Sequence, residues 1–323
     1  MRRPLRPTTP NTITDYPALY SLRRGRLTAA PAAHVRPRIH HQLLLMTALP
    51  NLRVVTVAAL VLFAGAATAQ PVDTERVSAL AVLLLDIGAD GAALADLAES
   101  EAHDQATLQA LGPERSAILR EAWTSAFAEE QLRKDVVDHI ASRESAVDAA
   151  EGVAWLRRPE VARATDKMRS GTGRSFEAEF GRWVMGLEDD DVDAERVHHI
   201  AVIAERSGED RVGAMVMKLA EASLRGAHAV APRSGRPSLD AALGRLSSLA
   251  PTITTQAVTQ NQLYLYYVLR DLSLRELEAY ADALDSRAGQ WYVRAMHSAF
   301  AHAIDRGSER LVREADAATT SLR

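Results

Sequence analysis

Apolar residues in the second half of the chain recur every three or four positions, and the intervals between these stripes carry caps and breakers, so the pattern predicts a run of amphipathic helices. The first runs from Asp73 to Asp86, with Val77, Leu80, Ala81 and Leu84 as its stripe, Asp73 or Thr74 as cap and Gly88 as stop. Two short helices are expected near Gly91–Glu101 and Asp104–Leu111. One long helix follows from Pro113 to about Ala141, on Leu119, Trp123, Phe127, Val137 and Ile140. Ser145 with Asp148 three residues on reads as an N-cap, opening a helix that buries Ala146, Ala149, Val153 and Leu156. Arg157-Arg158-Pro159 forms an elbow, because a proline drives its predecessor out of the helical region.

A further helix starts at Pro159, loosens at Ser170-Gly171-Thr172-Gly173 and resumes through Phe176, Phe180, Trp183 and Val184. The acids from Glu188 to Asp193 cap a helix through Val197, Ile200 and Ile203, which Ser207-Gly208 ends, and the next carries Val212, Met215, Val216 and Leu219. Residues 231–237, Ala-Pro-Arg-Ser-Gly-Arg-Pro, read as a linker. Beyond it the pattern predicts separate helices over Ser238–Leu249 and Pro251–Asp271. Ser273 and Glu276 form a full capping box for a helix presenting Leu274, Leu277, Ala281 and Leu284, which turns at residues 285–289. The last helix carries Val293, Met296, Phe300 and Ile304 before a polar tail. The fold expected is all-α, a multi-helix bundle built from two similar helical units, residues 70–230 and 238–323, packed together.

One register shift of 128 residues superimposes Ser145 on Ser273, Asp148 on Glu276, the stripe Ala146, Ala149, Val153, Leu156 on Leu274, Leu277, Ala281, Leu284, and Met168 on Met296. A duplicated helix–elbow–helix unit is the economical account. This unit resembles the exported proteobacterial domain-of-unknown-function family 2059, whose members show a capped helix, an aromatic-x-Ser-Pro-x-Gly turn and a second helix. The C-terminal copy keeps Ser286 and Gly289, with Arg287 where proline is usual and Leu284 at a position where the aromatic is expected. The N-terminal copy keeps Pro159 without the serine and glycine. The resemblance implies an exported helical domain with no assigned activity.

The region before Gln70 reads differently. Met46 begins a stretch with one basic residue, Arg53, an apolar run from Val54 to Gly65, and Ala67-Thr68-Ala69 before Gln70. That is the layout of a secretory signal peptide over residues 46–69, cleaved between Ala69 and Gln70 and placing the protein in the periplasm. Val54–Ala69 is 16 residues long, against the roughly 20 a membrane-crossing helix needs. No stable membrane anchor is expected after cleavage. Residues 1–45, rich in arginine and proline, read as an upstream extension before a true start at Met46, or as the basic arm of an organellar presequence.

Charge sharpens this division. The whole chain carries 38 basic and 42 acidic residues; nine arginines and one acid fall before position 70, leaving 29 against 41, a net charge of −12. So acidic a surface repels nucleic-acid phosphates and anionic lipid, and nucleic acid is set aside as a partner. With no cysteine, disulfides, thiolate metal sites and a lipoprotein anchor are excluded.

Candidate chemistry is sparse. Asp189, Asp191 and Asp193 begin like a calcium loop, but Ala194 and Ile200 replace the glycine and terminal glutamate it needs. His198 and His199 are adjacent and His297 and His302 are five apart, neither a metal-binding spacing on a helix, so rim or surface histidines are expected. Gly171-Thr172-Gly173 lacks the lysine and leading glycine of a phosphate loop. No catalytic signature and no cofactor motif emerges, and the expectation is a non-enzymatic protein. Aromatics crowd the C-terminal third, and Tyr264, Tyr267, Trp291 and Tyr292 are candidates for a groove rim, the alternative being ordinary core. The first role expected is interaction with an envelope protein; the alternative is a small apolar ligand or peptide held between helices, and a third is an envelope hydrolase using dispersed carboxylates, which leave no local signature.

Overall fold

A computed structural model describes residues 74–91, 93–94, 111–171, 174–187, 193–232 and 238–320, all within one compact unit of the chain. The signal segment, its cleavage residues Ala67, Ala69 and Gln70, the two short helices expected near 91–111 (Gly91, Ala93, Leu94 and Leu111 apart), and Asp189 and Asp191 lie outside these residues. Among the described residues every extended regular element is an α-helix. They are α1 (Thr74–Ile87), α2 (Pro113–Ala126), α3 (Glu129–Arg143), α4 (Ala146–Leu156), α5 (Pro159–Ser170), α6 (Arg174–Met185), α7 (Ala194–Arg206), α8 (Glu209–Val230), α9 (Leu239–Val268), α10 (Leu274–Asp285) and α11 (Arg287–Thr320). None is long and apolar enough to cross a membrane.

The all-α bundle expected from the pattern is what forms. Its spine is α11, 34 residues and about 51 Å at 1.5 Å per residue. Around it pack α2, α3, α4, α8 and α10, while α9 lies along α8, and α7 bridges α9 and α10. One hydrophobic core runs through all of this, including residues on both sides of the 231–237 linker. The stripes predicted for α4 and α10 are the buried faces, with Ala149, Val153, Leu156, Leu277, Ala281 and Leu284 all nearly inaccessible.

Three boundaries differ from expectation. The helix expected from Pro113 to Ala141 breaks at Phe127–Ala128, where Phe127 leaves the helical region at φ −108° and ψ 22°. The aromatic content explains it: Phe127 is fully buried and stacks on Trp123 at 4.2 Å. The carbonyl freed at Ala126 accepts from Arg310 Nε at 2.9 Å, and the same guanidinium pairs with Asp135 of α3 at 2.6 Å. Arg310 thus closes both sides of the break.

The two helices expected over 238–271 are one, α9, with Pro251 inside it. A proline there removes a single bond, to the carbonyl of Ser247. Both residues are exposed, so water takes up that carbonyl, and no glycine stands nearby to open a turn. Finally, the polar tail is helical to Thr320, because Gly307, Leu311, Ala315 and Thr319 continue the buried stripe past Ile304.

Candidate functional site

The two elbows set the geometry. Ser145 accepts from the backbone N–H of Asp148 at 3.1 Å and caps α4. Ser273 does the same for α10, and Glu276 returns a bond to the Ser273 N–H at 2.8 Å, completing the box. Those bonds from Ser273 hold the Glu276 carboxyl below its ordinary range. In the first elbow α4 ends at Leu156 and Pro159 restarts the chain as α5. In the second, Ser286 Oγ donates to Ala283 O at 2.6 Å and accepts from Gly289 N at 3.2 Å, ending α10 and starting α11 with one side chain. A Cβ on Gly289 would lie 2.5 Å from the Ala283 carbonyl, so the turn closes only over glycine.

The two helix pairs exchange partners. Helix α4 packs on α11 while α5 packs on α10. Arg287, at the head of α11, pairs with Asp148 at 2.9 Å, and Arg163 of α5 pairs with Glu276. Where the pairs cross, the Trp155 indole donates to the Ala283 carbonyl at 2.9 Å, two positions 128 residues apart.

At this crossing lies a partly open cavity of about 60 Å³. Leu156 and Leu284, Thr165 and Val293, Met168 and Met296 line it, each pair again separated by 128 residues. Most of the wall is apolar, but four buried polar side chains converge on it: Asp90, Thr165, Asn261 and Tyr280. Asp90 reaches the cavity from the turn that follows α1 and accepts a hydrogen bond from the Tyr292 hydroxyl. Gly88 makes this approach possible, since a Cβ there would sit 2.2 Å from that hydroxyl. The glycine expected merely to stop α1 therefore also makes room for Tyr292.

Burial pushes the Asp90 carboxyl up to about 6, against the opposing pull of the Tyr292 hydroxyl and its own backbone N–H. Burial, and the carboxylate nearby, push the Tyr280 and Tyr292 phenols well above their ordinary range. Tyr264 is satisfied by donating to Met168 O at 3.0 Å. Thr165, Asn261 and Tyr280 make no side-chain hydrogen bond to other described residues.

The four aromatics expected at a groove rim are corrected to buried positions, each under a tenth exposed. Tyr264 and Tyr292 are cavity wall. Tyr267 packs under α6, whose Phe176, Phe180 and Trp183 cover it at ring separations of 4.9–5.6 Å. Trp291 donates to Glu144 at 2.7 Å, and burial holds that carboxyl above its usual range. The reason is common to all four: α9 and α11 face the bundle centre, where tyrosine and tryptophan bury their rings, and Tyr264, Trp291 and Tyr292 each spend their single polar atom on a partner.

The histidines divide. His297 is buried, not at a rim, and burial, with Arg211 nearby, pushes it down to about 2. His139, which the pattern did not single out, packs against His302 with ring centroids 4.7 Å apart and planes tilted by 30°, and shares a hydrogen bond with Ser298 at 2.8 Å. Burial first, then His302 and Arg143, push it down to about 4. His198 and His199 lie on α7, the former exposed. No group of three metal-ligating side chains occurs among the described residues. Asp193, from the acid run, caps α7 by accepting from Glu195 N and Arg196 N.

Asp90, Thr165 and Asn261 had escaped the sequence reading, and Tyr280 had counted only as one of the clustered aromatics, though three of the four carry a signal. Thr165 falls between Ala164 and Met168 on an apolar stripe, Asn261 between Ala257 and Leu265, and Tyr280 between Leu277 and Leu284. A polar residue at a core position of a helix must find a partner inside. Compared with known proteins, the chain matches no family, no curated sequence and no solved structure.

Proposed function

We propose that the chain is an exported, non-catalytic binding module that holds a small ligand in the cavity between the α4–α5 and α10–α11 pairs. The convergence of Asp90, Thr165, Asn261 and Tyr280 on one cavity carries this reading. Buried polar groups are nearly always hydrogen-bonded, and leaving one unpaired costs about 1–3 kcal/mol. A core that needed only packing would place leucine or valine at these stripe positions. The polar set also moves the ligand from the apolar class expected from the clustered aromatics to one that makes hydrogen bonds. A duplicated helix–elbow–helix unit accounts for the paired wall positions, and the partner exchange at the crossing supports that account.

Binding is tested by native mass spectrometry of protein purified from its own envelope fraction, followed by denaturing extraction. A small molecule released from the wild type and lost from an Asn261→Leu, Thr165→Val double variant is the expected result. Export is tested separately. N-terminal sequencing of the protein from the periplasm should begin at Gln70, and recovery of the intact chain in the cytoplasm would reject the signal at residues 46–69.

A further inference from the structure

Building on that binding reading, the chemistry of the cavity narrows the ligand. Asp90 brings a carboxylate into the core, where the Tyr292 hydroxyl bonds it. Arg169, whose charge acts on the same tyrosine, bonds the carbonyls of Ile87 and Gly88 and the Asp166 carboxylate. A buried carboxylate is costly to hold charged, and the site disfavours an anion. A purely apolar guest would leave that cost standing.

The walls favour the opposite charge. Trp155, Tyr264, Tyr280 and Tyr292 contribute four aromatic rings to the wall, Trp155 and Tyr292 packed against each other with centroids 5.1 Å apart and planes tilted by 36°. Aromatic faces attract ammonium groups, and most strongly where water is excluded. The Asn261 carbonyl and the Thr165 hydroxyl add acceptors for N–H donors. At about 60 Å³ the space takes a guest of only a few heavy atoms.

We infer that the cavity binds a small organic ammonium ion, its nitrogen against the Asp90 carboxylate and its carbon against the ring faces of Tyr280, Tyr292, Tyr264 and Trp155. The neutralised pair is enclosed by apolar side chains from both helix pairs, so charge complementarity sets the selectivity. A neutral molecule of the same size forfeits the ion pair and an anion is excluded.

The test uses the chain from Gln70 onward as secreted, titrated calorimetrically at pH 8 with methylammonium, ethanol and acetate in amine-free buffer. Methylammonium should bind, ethanol should bind at least tenfold more weakly, and acetate should give no heat. Asp90→Asn should weaken methylammonium binding at least tenfold while leaving ethanol unchanged. In the wild type, lowering the pH from 8 to 4.5 should weaken methylammonium binding at least tenfold, which keeps the test independent of how the variant folds. Equal affinity for methylammonium and ethanol, or no pH dependence, would overturn the ammonium assignment and leave the binding reading standing. Absence of binding by all three probes, with nothing released from the native protein, would overturn both.

Discussion

Replacing Asp90 by asparagine should make the protein more stable at neutral pH and less dependent on pH. The folded carboxyl protonates near 6, against an ordinary value of 3.8. In the folded state the proton is held more tightly, so the sign is fixed. Stability contributed by Asp90 is full below about pH 4 and is lost as pH rises to about 6. The gap of roughly 2.2 units is worth about 3 kcal/mol at 1.36 kcal/mol per unit. At pH 4 both side chains are neutral and each offers the Tyr292 hydroxyl an oxygen, so the variant should match the wild type to within about 1 kcal/mol. It should finish about 3 kcal/mol above it at pH 7.5. Urea unfolding at intervals of half a pH unit, in buffers free of amines, measures this directly. His139 and His297 also titrate, but in the other direction. Their folded values lie below 6.5, so their contribution is present at neutral pH and lost on acidification, and it cancels in the difference between the two proteins. A difference that stays flat between pH 4 and 7.5 would show that Asp90 is not held in the buried cavity.

Ser273→Ala should cost about 1 kcal/mol through the lost cap, read as a shift of the urea midpoint without a change of slope; a negligible shift would mean α10 does not begin there. Gly289→Ala should destabilise by about 1–3 kcal/mol, because the new methyl meets the Ala283 and Leu284 carbonyls, whereas Gly244→Ala, with nothing within 4 Å, should not destabilise. Arg310→Ala should cost about 3 kcal/mol or more, since it strips the Ala126 carbonyl of its donor and leaves Asp135 half-buried without its partner. Replacing His139 by glutamine, which keeps a polar contact to Ser298, should flatten part of the acid limb of stability between pH 6.5 and 4, measured by the same urea series.

Local features were legible in the chain because they depend on neighbours a few positions apart. The caps at Ser145 and Ser273, the elbows at Pro159 and Ser286, and the stripes of α4, α5, α7, α8 and α10 are written in spacings of three and four. What escaped depends on groups far apart in sequence. The break at Phe127 is satisfied by Arg310, 184 residues away from Ala126. The continuity through Pro251 follows from which side of α9 faces water, and nothing in the residues around 251 states that. The cavity is assembled from the turn after α1 and from α4, α5, α7, α9, α10 and α11, so its polar members look like isolated exceptions until the helices bring them together. The same crowding that hides them explains the misplaced aromatics: a tyrosine at a rim and a tyrosine in a cavity wall have the same helical spacing.

The crossing of the two helix pairs has a consequence for how a guest can sit. Part of its hydrocarbon lining comes from positions 128 residues apart, Leu156 with Leu284 and Met168 with Met296. Asp90 and Asn261 come from outside both pairs, Tyr280 stands where the other pair has Gly152, and Thr165 faces Val293. Each of these belongs to one side only. The polarity of the wall is therefore not repeated between the two pairs, and it would orient a polar guest placed there.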